Sequence, residues 1–181
     1  HCIFHVLGLI DYVEGSLAIG LPFLIIIYIM VDEISNISEI KVKVGYKAKT
    51  NYKITSPENV YNVAKHLWDN VFQDMQLRER MVMLALNRGN EVLGYHTVSV
   101  GGTAGTLVDP TVVFKILFNL ANSAAFILIH NHPSGLLKPS RQDDKMTEKM
   151  KEASQLLDFQ LVDHLIVSHE GYYSYQNVGD L

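Results

Sequence analysis

His130-Asn131-His132-Pro133-Ser134-Gly135-Leu136-Leu137-Lys138-Pro139-Ser140-Arg141-Gln142-Asp143 follows a run of core residues, Ala124-Ala125-Phe126-Ile127-Leu128-Ile129. That run is a buried strand, and it ends in two histidines. Residues i and i+2 of a strand face the same side, so both imidazoles point to one side of the sheet. A turn then leads to Ser140 and Asp143, which open a helix. Two histidines and one carboxylate converging on a point form a three-ligand zinc site. The fourth position is left for water, which is the arrangement of catalytic zinc.

Each of these residues also has a structural reading. A lone histidine at a strand end is usually structural, whereas a pair at i and i+2 followed by Pro133-Ser134-Gly135 reads as imidazole ligands. Asp143 is the acid of a Ser140-x-x-Asp143 helix start, where it stabilises the helix with or without a metal. The two roles are compatible, because a carboxylate in the first turn points back toward the loop carrying the histidines. Its neighbour Asp144 points about 100° away around the helix.

The pattern H-x-H-x7-S-x-x-D resembles the metal motif of the JAB/MPN (JAMM) metallopeptidase fold. The form His130-Asn131-His132-Pro133-Ser134-Gly135, with its flanking sequence, is similar to the RadC branch of that fold. The likeness runs from about Ile54 to Tyr175. It implies an α/β, cytidine-deaminase-like domain with a mixed β-sheet flanked by helices. It implies Zn2+ held by His130, His132 and Asp143, and cleavage of a peptide or isopeptide bond by a zinc-activated water. Ser140 would then give a hydrogen bond at the reacting centre and help hold the oxyanion.

The same resemblance implies a glutamate at the start of a strand upstream of the histidines. It would take the water's proton and pass it to the leaving amine. Glu79, in Leu77-Arg78-Glu79-Arg80-Met81-Val82, occupies that place. Glu91 is the other candidate, beyond a hairpin turn and at the wrong strand end. With every motif position filled, nothing suggests an inactive scaffold. Asn131, Ser134 and Gly135 shape the turn, and Pro133 and Pro139 stiffen it. His164, in Val162-Asp163-His164, reads as a group behind the ligands, a substrate contact, or a core histidine paired with Asp163.

Two other functions compete with hydrolysis. RadC-like proteins carry a DNA-repair name, and some travel on mobile elements, which suggests a DNA-associated accessory protein. Longer members have an N-terminal helix-hairpin-helix region, and no such helical pair precedes Ser56 here. The net charge of −4 gives no overall basic footprint for nucleic acid. Lys41, Lys43, Lys47, Lys49 and Lys53 cluster in one strand-like stretch that reads as a solvated face. A zinc-retaining binding module without turnover is the third reading. The tripeptide His130-Asn131-His132 is unrelated to HNH nucleases, whose named residues are spread over a ββα-metal module.

The chain has one cysteine, Cys2. That excludes an intrachain disulfide, a cysteine zinc cluster, and a zinc deaminase with its P-C-x-x-C pair. A reducing, cytoplasmic setting is the simplest fit. Residues 1–29 form an apolar segment with no Lys or Arg before Lys41. Leu17 to Val31 is short for a membrane span, is interrupted by Pro22, and lacks the basic flank and cleavage site of a signal peptide. Translated upstream sequence before an ordinary start at Met30, or a membrane anchor, are the two readings. Residues 30–55 then form an N-terminal extension with an edge strand, and 56–181 the metallohydrolase domain. The implied partner is a peptide or protein substrate.

The remaining elements follow from local signals. Ser56-Pro57 and Asp109-Pro110 each pair a helix cap with proline at the first helical position. Val60, Val63, Ala64, Leu67, Trp68, Val71 and Phe72 repeat at helical spacing, with Trp68 in the core. Glu79–Asn87 and Glu91–Val100 form a hairpin around Arg88-Gly89-Asn90, where Gly89 is expected to supply the positive φ. Gly101 to Thr106 is a flexible loop without the ending of a P-loop. Val112, Val113, Ile116, Leu117 and Leu120 mark a second helix, and a third runs from Ser140 to Leu157. Phe159–Ser168 is a strand, Glu170-Gly171 a turn, and Tyr172–Gln176 a short last strand.

Overall fold

The structure, a computed structural model, describes residues 52–101 and 108–181. The apolar stretch 17–31, the lysine-rich strand up to residue 51 and the glycine-rich loop over 102–106 lie outside the described residues. Among the described residues no helix is long and apolar enough to cross a membrane.

Five strands form one sheet: β1 Arg80–Asn87, β2 Val92–Val100, β3 Ser123–Asn131, β4 Gln160–Val167 and β5 Tyr172–Ser174. Their spatial order is β2-β1-β3-β4-β5. The β3–β4 pair is parallel and the other pairs are antiparallel. A parallel pair needs a crossover, and helix α3, Arg141–Leu156, supplies it. Helix α1 is Pro57–Leu67, α2 is Pro110–Asn119, and a short α4 spans Tyr175–Val178. The domain is therefore α/β with a mixed sheet flanked by helices, as the resemblance implied.

Both faces of the central strands are covered. Val82, Leu84, Ile127, Ile129 and Leu165 pack with Val60, Ala64 and Leu67 of α1. On the other face Met81, Met83, Phe126 and Leu128 pack with Val113 and Leu117 of α2 and Met150 of α3. A strand buried on two faces reads as a continuous apolar run, which explains Ala124–Ile129. The row Met81–His130–Ile166 runs across three strands, so His130 shares the face of Leu128 and Phe126 toward α3.

The expected caps form. Ser56 accepts from the Asn59 amide, and Asp109 accepts from the Thr111 amide at 2.9 Å. Three local expectations need correction. In the hairpin it is Asn90, at φ 61°, that takes the left-handed conformation, not Gly89. The Asn87 carboxamide accepts from the Gly89 amide at 2.8 Å and the Glu91 amide at 3.0 Å. That Asx-type turn places the positive φ one residue later than expected. Next, Trp68–Phe72 is a π-helical turn, which changes the pitch and turns Val71 out to 50% exposure while Trp68 stays at 1%. Finally, the last strand stops at Ser174, because the Ser174 hydroxyl caps the turn of Tyr175–Val178 by accepting from the Asn177 amide at 3.1 Å.

Candidate metal centre

His130 sits next to the end of β3 and is fully buried. His132 follows the strand, and its amide still bonds the Val167 carbonyl at 3.2 Å. The loop then curls back: the Gly135 amide bonds the His132 carbonyl at 2.9 Å, with Gly135 at φ 78°. A Cβ there would meet no neighbour, so it is the left-handed backbone that favours glycine. This turn brings the Leu136 carbonyl to 2.7 Å from His132 Nδ1, which must donate to it. His132 Nε2 is thereby left bare and lies 2.9 Å from His130 Nε2.

Asp143 completes the cluster from the first turn of α3. Its Oδ1 lies 3.4 Å from His130 Nε2 and its Oδ2 3.6 Å from His132 Nε2. The ligand atoms of the three residues all fall within 4.8 Å of one another. Asp143 also closes a capping box: its Oδ2 accepts from the Ser140 amide at 2.7 Å, while its own amide donates to Ser140 Oγ at 3.2 Å. The carboxylate that closes the helix start therefore also faces both imidazoles.

The electrostatics suit a cation. Burial pushes Asp143 up, but the adjacent His132 and His130 rings and the Ser140 bonds outweigh it and hold the carboxyl well below its ordinary range. Burial lowers His130 to about 4, against the pull of Asp143. His132 is raised, first by the Asp143 carboxylate beside its Nε2, against burial, and least by the charge of Glu79. Two imidazole nitrogens and a carboxylate oxygen are a donor set that zinc accepts. The buried ring is neutral and the carboxyl ionised near pH 7, which are the ligating forms. The residues present fit zinc.

These shifts predict acid lability of the metal-free protein. His130 titrates at 6.5 in an ordinary setting and about 4 here, so between those values the unfolded chain binds more protons. Stability then falls as pH drops through that window, by at most about 3 kcal/mol. His164, also pushed well down by burial, acts in the same direction. The raised His132 contributes stability that is complete below 6.5 and fades above it, and the lowered Asp143 loses its share only below 3.8. Chelator-treated protein should therefore melt lower at about pH 4.5 than at about pH 6.5. An unchanged Tm between them contradicts this.

The structure places the other expected residues as follows. Glu79 directly precedes β1, and its carbonyl accepts from the Gly101 amide at 2.9 Å. It lies at the Met81–His130 end of the β1–β3 pair, near enough for its charge to act on His132. Glu91 lies at the opposite end, its carboxylate bonded to Asn87 Nδ2 at 2.6 Å. Ser140 is exposed at the helix start, with its oxygen accepting in the capping box.

Asn131 does more than shape a turn. Its side chain donates to the Met75 carbonyl at 2.7 Å and the Arg78 carbonyl at 2.9 Å, and accepts from the Arg80 amide at 2.8 Å. It thus fastens the backbone on both sides of Glu79 to the strand carrying His130. The sequence signal was a carboxamide ending an apolar run, since a buried amide needs partners.

The ring of His164 is not paired with Asp163, whose oxygens accept from the His164 amide, Ser174 Oγ and the Gln176 amide at 2.7, 2.6 and 3.0 Å. Instead His164 Nε2 lies 2.8 Å from His130 Nδ1, and its Nδ1 lies 2.7 Å from Thr147 Oγ1. Tyr175 stacks on the His164 ring at 4.9 Å and 8°, and its hydroxyl donates to Asp144 at 2.8 Å. Asp144 is therefore committed away from the cluster. Thr147 and Tyr175 escaped the sequence reading. For Thr147 the available signal was its place one helical turn after Asp143.

Comparison with known proteins agrees with this architecture. The RadC-like JAB domain family matches residues 54–180. A UPF0758 protein of Streptococcus gordonii is 42% identical over 105 residues, covering 58% of this chain and 46% of that protein. One of Flavobacterium johnsoniae is 39% identical over 128 residues, covering 70% and 53%, and one of Bacillus pumilus is 37% identical over 132, covering 72% and 55%. The chain spans about half the length of these curated relatives. With its mixed sheet and the match across nearly all its described residues, the chain belongs to the RadC-like JAB domain family.

Proposed function

We propose that this chain is a zinc-dependent metallopeptidase that hydrolyses a peptide or isopeptide bond. The observation that supports this most is the convergence of His130 Nε2, His132 Nε2 and the Asp143 carboxylate. These three residues would hold the ion, which supplies Lewis acidity toward water and toward the scissile carbonyl. Glu79 takes the proton of the attacking water and delivers it to the departing amine. The Ser140 oxygen accepts from the Asp143 amide, so its own hydroxyl proton remains to donate to the oxyanion. Asn131 holds the Glu79 segment against β3 while this happens. The substrate is a peptide or protein, and a cytoplasmic setting rests on the single cysteine. The DNA-associated reading has no observation of its own among the described residues.

The test is metal content by elemental mass spectrometry, wild type beside His132→Ala, each after exposure to zinc. The expected result is about one zinc per wild-type chain, lost in the variant. Wild-type protein that stays empty removes the hydrolase reading.

A further inference from the structure

We infer that Thr147 and His164 are positioning residues: together they fix His130 in the tautomer that presents Nε2 to the metal. The inference rests on the metal-site reading above and adds two residues to it.

The direction of the hydrogen bonds follows from one fixed point. Thr147 Oγ1 lies 2.7 Å from the Asp143 carbonyl oxygen and 2.7 Å from His164 Nδ1. A carbonyl oxygen only accepts, so the hydroxyl spends its single proton there. Its lone pair is then left to accept, and His164 must carry its proton on Nδ1. A neutral imidazole protonated at Nδ1 has a bare Nε2. That atom is 2.8 Å from His130 Nδ1, so His130 in turn donates from Nδ1. His130 Nε2 is therefore bare, and it is the atom 2.9 Å from His132 Nε2 and 3.4 Å from Asp143 Oδ1. The chain of four groups has one consistent ordering, set by a backbone carbonyl of α3.

Two further features keep the relay in place. The Asp163 carboxylate is next in sequence to His164 and would reverse the ordering if it took a proton from Nε2 of the ring. Its oxygens are instead committed to the His164 amide, Ser174 and the Gln176 amide. Tyr175 lies parallel to the His164 ring and is anchored through its hydroxyl to Asp144, which holds the ring plane. His130 and His164 are 0% exposed and Thr147 2%. The helix that contributes the carboxylate ligand thus also orders the proton on a histidine two strands' contacts away. A ligand histidine normally has its other nitrogen tied to an outer partner, and losing that partner typically lowers metal affinity about 10–100-fold.

The experiment combines two readouts on the full chain. Imidazole 15N NMR of the metal-free wild type reports the tautomers, and competition with a chelator reports zinc affinity. Nδ1-protonated His130 and His164 are expected. Thr147→Val should leave His164 as a mixture of tautomers. His164→Phe keeps the ring stack but no acceptor, and should bind zinc about 10–100-fold more weakly. His164→Gln restores an acceptor near the old Nε2 and should recover most of that loss, which a purely structural role would not predict. Adding Thr147→Val to His164→Phe should weaken binding no further, because Thr147 acts through His164. His130 protonated on Nε2 overturns the relay, and so does a folded His164→Phe protein with wild-type affinity. If His164→Phe does not fold, the wild-type tautomers and the Thr147→Val spectrum decide alone. A wild type that binds no zinc overturns the metal reading and the relay's purpose with it. Zinc-binding wild type with unchanged affinity in His164→Phe overturns the relay alone.

Discussion

Replacing Glu79 by Gln is expected to lower turnover by about 10²–10⁴-fold while zinc content stays at the wild-type level. Glutamine has the same shape but cannot take a proton. Glu79 is outside the cluster formed by His130, His132 and Asp143, so the metal should remain. The residue is well placed for a base. It precedes β1 at the end where Met81 pairs with His130, and its backbone carbonyl is fixed by the Gly101 amide. Its charge acts on His132. The fall should appear in kcat rather than KM, since a proton transfer belongs to the transition state. A Glu79→Gln protein that turns over like the wild type, with its zinc in place, would show that another group does this work.

The second large effect should come from Asn131→Ala. The change strips partners from the Met75 and Arg78 carbonyls and from the Arg80 amide. Asn131 itself is fully buried. An unsatisfied buried group costs about 1–3 kcal/mol, so a loss of about 3 kcal/mol or more in unfolding free energy is expected. Urea denaturation measures it, and an unchanged midpoint at unchanged slope would contradict it. Asn131→Asp separates the directions of the three bonds. A carboxylate can still accept from the Arg80 amide but repels the two carbonyls, so it should not rescue the protein. Both variants loosen the Glu79 segment, and turnover should fall more than zinc affinity does.

Much of this arrangement was open to inspection in the sequence because it is local. The caps at Ser56, Asp109 and Ser140 act within three residues, and each forms as expected. Strand β3 announces itself because both its faces are buried, leaving no polar alternation. The spacing of His130, His132 and Asp143 spans one strand end, one turn and one helix start. Where local signals misled, the cause was also local. Asn87 captures two amides and moves the left-handed residue from Gly89 to Asn90. The π-helical turn at Trp68 changes the pitch, so a 3.6-residue repeat carried through it turns Val71 the wrong way.

The sequence by itself determined most of the elements and the spacing that brings His130, His132 and Asp143 together, because each depends on neighbours within a strand, a turn or one helical start. The tertiary structure decided what stands behind them. His164 meets His130 only because β4 pairs parallel to β3 with Leu128 opposite His164, a register set through the crossover helix. Asn131 reaches the Glu79 segment only because β1 lies antiparallel on the other side of β3. Both are contacts between residues far apart in the chain, chosen by which faces the sheet must bury and by which buried polar groups must find partners. No local pattern encodes such a pairing, since it depends on which residues of β3 and β4 the sheet brings opposite each other.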